Sequence, residues 1–128
     1  VRSQLNYGEG KTYVPSLRVY RSWDFHHQQP GSRMPLQSAV NVLPDLSVAL
    51  KYNPRLKVLL NAGYFDLATP YYEGVYEMRH LQIPRNLVPN VQFHFYQSGH
   101  MVYAHAPALK ELHDTVAGFI RATDNLNH

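Results

Sequence analysis

Apolar positions are irregular over residues 1 to about 36 and become periodic after Ser38. In the first part Gly8-Glu9-Gly10, Pro15 and Gln28-Gln29-Pro30-Gly31-Ser32 interrupt every run. Turn and breaker residues of this kind predict no firm element. Leu17, Val19, Tyr20, Trp23 and Phe25 suit an extended segment packed on something larger. From Asn41 the pattern sharpens. Pro44 and Asp45 stand early in a predicted helix, with Leu46, Ala49 and Leu50 spaced for one buried face. Asn53-Pro54 ends it, because the residue before a proline is pushed out of helical geometry.

Val58-Leu59-Leu60 is a short continuous apolar run, the signature of a strand buried on both faces. It leads into Asn61-Ala62-Gly63-Tyr64-Phe65-Asp66-Leu67-Ala68-Thr69-Pro70, a glycine turn that presents one acid. Thr69 is expected to cap the next helix with Pro70 at its first position, and Val75, Met78 and Leu81 form the apolar stripe to about residue 80. Ile83 to Asn90 carries two prolines and predicts a connector without a long helix. Over Val91-Gln92-Phe93-His94-Phe95-Tyr96, Val91, Phe93 and Phe95 point one way and Gln92, His94 and Tyr96 the other, as in a strand. A last helix is expected from Pro107 to about Ala122, with Leu109, Leu112, Val116, Phe119 and Ile120 inward and residues 124–128 frayed.

Helix, strand, helix, strand, helix is the α/β order of crossover units. Two strands alone make a poor parallel sheet, so the pattern implies missing neighbouring strands and an exposed edge that recruits another chain or a second copy.

Composition narrows the function. The chain has 128 residues, 45% apolar and 16% charged, enough for one core and not the makeup of a disordered chain. No apolar run approaches the roughly 20 residues of a membrane helix. The net charge of +3 comes from twelve scattered Lys and Arg with no run of three, which argues against a nucleic-acid surface. The ten Tyr fit packing and hydrogen-bonded interior edges better than base stacking. Cysteine is absent, which excludes disulfides and thiol chemistry. Val1-Arg2-Ser3-Gln4 has neither an initiator Met nor a signal-peptide core, and the start reads as cut.

Asp66 and His100 are the candidate chemistry. Each follows a predicted strand, and α/β sheets place their sites at the carboxyl ends of strands. An acid and a His converging there are two members of a hydrolytic triad, in which the acid orients the imidazole and the His moves the proton of a serine. In α/β hydrolases the order is nucleophile, acid, His, which places the missing serine upstream. No Gly-x-Ser-x-Gly elbow occurs in the chain. The other histidines, including His26-His27, His94 and His105, lack the spacing of a catalytic metal site, so neither metal nor cofactor is expected. His94 reads as a packed histidine beside Tyr96.

Gly63-Tyr64-Phe65-Asp66-Leu67-Ala68-Thr69-Pro70 and Gly99-His100-Met101-Val102-Tyr103 strongly resemble the acid and His motifs of the serine carboxypeptidases, peptidase family S10, in its bacterial branch. The resemblance runs from about Trp23-Asp24 to the final helix. It implies the last strands and flanking helices of an α/β-hydrolase sheet over residues 37–128, incomplete without upstream strands, and makes residues 1–36 the return from an inserted cap. Asp66 becomes the triad acid, His100 the general base, and Met101 part of the wall where the leaving amino acid sits. Trp23-Asp24 becomes a buried anchor at the cap boundary rather than a substrate contact. The serine, the oxyanion hole and the carboxylate-gripping residues belong to the upstream part, so this chain alone is expected to be inactive. A peptide substrate and a periplasmic or secreted location follow from the resemblance alone.

Plainer readings stand beside these. Asp66 is also placed to cap the helix opened by Thr69-Pro70, His100 suits an ordinary loop, and Met101 and Tyr103 suit packing. The alternatives for the whole chain are a noncatalytic folded module that docks on a partner, or a segment of a related lipase or esterase.

Overall fold

The computed structural model describes residues 10, 12, 19, 22–35 and 40–124. Leu17, Tyr20, Ser38 and the final residues 125–128 lie outside them. Helix and strand alternate around a two-stranded parallel sheet, an α/β arrangement.

Helix α1 spans Leu43–Tyr52, with Pro44 and Asp45 in its first turn, and ends at Asn53, whose amide donates to the Ala49 carbonyl. Its buried residues are Ser47 and Leu50, whereas Ala49 faces outward, against the expected stripe. The reason is local: Ser47 Oγ accepts the Gln82 amide at 3.2 Å, which turns that side of the helix toward the chain beyond the next helix.

Strand β1 covers Val58–Gly63 and β2 covers Val91–Tyr96, pairing from Val58 opposite Val91 to Gly63 opposite Tyr96. Side chains alternate across such a sheet, and a helix lies on each face. On one face α2 (Tyr71–Arg79) sets Gly74 against Leu60 and Tyr71 5.2 Å from the ring of Phe95. On the other, α3 (Ala106–Thr123) brings Glu111 Oε1 within 2.8 Å of His94 Nε2. There Tyr96 is 0% exposed and its hydroxyl donates to Asn61 Oδ1 at 2.7 Å. His94 is thus half-buried and hydrogen-bonded to Glu111, with its ring against Tyr96, rather than enclosed in a core.

At the amino ends of the strands, buried Asn90 fastens the sheet. It closes a 3-10 helix, Arg85–Asn90, which the two prolines permit in place of an α-helix. Its Nδ2 donates to the Pro54 carbonyl at 2.8 Å, and Lys57 Nζ donates to its Oδ1.

Several expected burials do not occur. Trp23 is 62% exposed and is no buried anchor, with Val19 and Phe25 exposed as well. On α3 only Ala108 is fully buried. Leu112, Val116 and Phe119 are half-covered, while Leu109 and Ile120 are exposed. The two strands of the described residues supply too narrow a surface to cover an 18-residue helix. No helix of the described residues is long and apolar enough to cross a membrane.

Candidate active site

At the carboxyl end of the sheet the two strands continue to hold one another after regular pairing stops. The Tyr64 amide donates to the Tyr96 carbonyl at 3.0 Å, and the Phe65 amide to the Ser98 carbonyl at 3.0 Å. These bonds lash the turn after β1 to the turn after β2. Gly63 permits the crossing, because any side chain there would run into the backbone of Ser98 and Gly99. Tyr64 adds an aromatic brace, 5.2 Å from Tyr71 and 5.6 Å from Phe95.

Asp66 and His100 project from these joined turns and meet: His100 Nδ1 lies 3.0 Å from Asp66 Oδ2. The two environments differ. Asp66 is 8% exposed, whereas the His100 side chain is 61% exposed. The other carboxylate oxygen, Oδ1, accepts the amides of Ala68 at 2.8 Å and Thr69 at 2.9 Å, an Asx-type turn that fixes the carboxyl. The Thr69 hydroxyl donates to Oδ2 at 2.8 Å.

The Thr69 amide, above all, holds the Asp66 carboxyl well below its ordinary value of 3.8. Burial opposes this, and His100, the Thr69 hydroxyl and the Ala68 amide add to it. The acid is therefore ionised throughout the neutral range and acts as an acceptor only. A carboxylate on Nδ1 calls for the proton on that nitrogen and leaves Nε2 its lone pair, the form a general base requires.

Thr69 departs from expectation. Helix α2 begins at Tyr71, Pro70 stands before it, and no side chain caps it. The Thr69 hydroxyl goes to Asp66 instead. Neither Thr69 nor Gly63 stands out in the sequence: the spacing of Asp66 and Thr69 is that of a side chain closing its own turn, and a glycine after a strand reads equally as an ordinary turn.

Met101 follows His100 and is exposed, as are Tyr103, Phe65 and Leu67. Among the described residues no serine hydroxyl is hydrogen-bonded to His100, whose ring partners are Asp66 and Thr69. No group of three or more potential metal ligands converges among them either. A groove of about 390 Å³ runs along β1 past Thr69, Tyr71 and Gly74, beside the pair rather than over it. No family model, curated protein or solved structure matches the chain.

Proposed function

We propose that residues 37–128 are the C-terminal part of an α/β-hydrolase catalytic domain of the serine carboxypeptidase type, with Asp66 and His100 as acid and general base of a Ser-Asp-His triad. The observation that carries this reading is the 3.0 Å contact between Asp66 Oδ2 and His100 Nδ1 at the ends of adjacent parallel strands. The serine and the oxyanion hole come from upstream strands of the same protein. Exposed Phe65, Leu67, Met101 and Tyr103 around the pair suit a surface that further chain covers.

In this reading Asp66 holds the Nδ1 proton of His100, and Nε2 takes the proton of the serine as its oxygen attacks the last peptide carbonyl. His100 then gives that proton to the departing amino group, whose C–N bond breaks to leave an acyl-enzyme. Water, deprotonated by the same nitrogen, hydrolyses the ester and frees the serine. Met101 flanks the place of the departing amino acid, and residues 1–36 return from the cap. The family reading makes the enzyme periplasmic or secreted.

A fluorophosphonate tests the triad, because it labels only an activated serine. One upstream serine of the full-length parent is expected to be labelled, and His100→Ala is expected to slow labelling by orders of magnitude. Unchanged labelling in that variant would remove His100 from the mechanism.

A second reading rests on the sheet itself, which has only two strands among the described residues. Here the chain is a noncatalytic module whose β1 edge and flanking groove receive a partner strand. Light scattering on the chain alone and with the N-terminal part separates the readings. Association with restored peptidase activity unites them as a two-chain enzyme, and a clean monomer that ignores the N-terminal part opposes docking. Ester cleavage without peptidase activity would favour a lipase or esterase of the same fold.

A further inference from the structure

Thr69 stands between the members of the pair. Its hydroxyl donates to Asp66 Oδ2 at 2.8 Å, the same oxygen that lies 3.0 Å from His100 Nδ1. Its own oxygen is 3.4 Å from that nitrogen, so the three polar atoms close a triangle. A hydroxyl has one proton to donate. With that proton on the carboxylate, only lone pairs of the Thr69 oxygen face the ring. Nδ1 therefore looks at two acceptors, a carboxylate oxygen and a hydroxyl oxygen, and both favour a proton on Nδ1.

The two carboxylate oxygens have separate duties. Oδ1 is held by the main-chain amides of Ala68 and Thr69. Oδ2 takes only side chains, the Thr69 hydroxyl and the His100 ring. The amides set the plane of the carboxylate, and the hydroxyl is the turn's one bond to the oxygen that meets His100. The hydroxyl is not spent on the helix, since α2 has no side-chain cap.

We propose that Thr69 is a positioning residue whose hydroxyl steadies Asp66 Oδ2 against His100 and strengthens the preference of the neutral ring for the Nδ1–H tautomer. Its importance for catalysis rests on the hydrolase reading, but the positioning itself is a property of this chain and is measurable without activity. Thr69 acts through Asp66 and His100 and needs no contact with substrate.

The test is ring nitrogen-15 chemical shifts of His100 in the 128-residue protein, taken where the imidazole is neutral, together with the carboxyl carbon-13 titration of Asp66. Wild type and Thr69→Ser are expected to hold the His100 proton mainly on Nδ1. Thr69→Val, which keeps shape and loses the hydroxyl, is expected to shift the balance measurably toward Nε2 and to raise the Asp66 midpoint toward its ordinary value. The Ala68 and residue-69 amides still bind Oδ1 in that variant, so the turn persists. Thr69 is solvent-exposed, and Thr69→Ala serves as a second hydroxyl deletion should Val disturb the fold. A wild-type tautomer balance in either deletion overturns the proposal. So does a Ser variant that behaves like Val, because the methyl and not the hydroxyl would then matter. These outcomes are independent of the serine-labelling result: a failed tautomer test leaves the triad reading standing, and a failed labelling test leaves the tautomer shifts unaffected.

Discussion

Gly63 and Gly99 meet main chain to main chain where the two strands end, and this contact sets the separation of Asp66 and His100. A β-carbon on Gly63 would overlap the carbonyls of Ser98 and Gly99, which are backbone and cannot swing aside. At Gly99 the nearest neighbour of an added β-carbon is the Phe65 carbonyl oxygen at 3.8 Å, an ordinary contact.

Gly63→Ala is therefore expected to destabilise the protein by about 1–3 kcal/mol through overpacking and to push His100 away from Asp66. Gly99→Ala should stay within about 0.5 kcal/mol of wild type. Urea unfolding of both variants checks the asymmetry. Equal costs would mean that the crossing does not constrain the turns.

Asp66 gives the protein an acid-sensitive element. Its folded carboxyl titrates well below the ordinary value of 3.8, chiefly because of the Thr69 amide. The folded state therefore binds fewer protons than the unfolded one as the pH drops below that value. The resulting stability is present above the unfolded value and is lost as the pH falls toward the lowered folded one. Thermal melts between neutral and about pH 2 should show a steeper acid decline for wild type than for Asp66→Asn. Parallel declines would contradict the assignment of the acid limb to this carboxyl.

Asn90 ties the chain before β1 to the start of β2. Asn90→Ala strips the Pro54 carbonyl and the Lys57 ammonium of a partner at a buried position. A cost of about 1–3 kcal/mol is expected, with the Asp66–His100 end left intact. Denaturant midpoints give the cost, and the ring shifts of His100 report whether the far end is undisturbed.

Leu50 is 0% exposed, the one fully enclosed aliphatic side chain among the described residues. Leu50→Ala should cost about 2–5 kcal/mol. A loss under about 1 kcal/mol would show that the site relaxes or floods on truncation.

The strands and the meeting of Asp66 with His100 were legible because their signals are local. The alternation over Val91–Tyr96 has period two, and an acid or His just past a strand end has one place to go in a parallel sheet. Burial was less legible. Trp23, Leu109 and Ile120 look like core residues, yet whether an apolar side chain is covered depends on neighbouring surface that its own segment does not encode. Thr69 misled for a different reason, since a threonine before a proline serves equally as a helix cap or as a donor to an acid three residues back. The collision space around Gly63 belongs to the partner strand's turn and cannot be seen from one segment.

In the proposed enzyme Asp66 and His100 act together on a serine supplied from upstream. The most direct measurement is kcat/KM of the full-length parent on blocked dipeptides, for wild type and for Asp66→Asn with His100→Ala. A loss of about 10⁴-fold is expected, with little further loss from the second substitution once the first is made. Activity within a few-fold of wild type in the double variant would contradict the account.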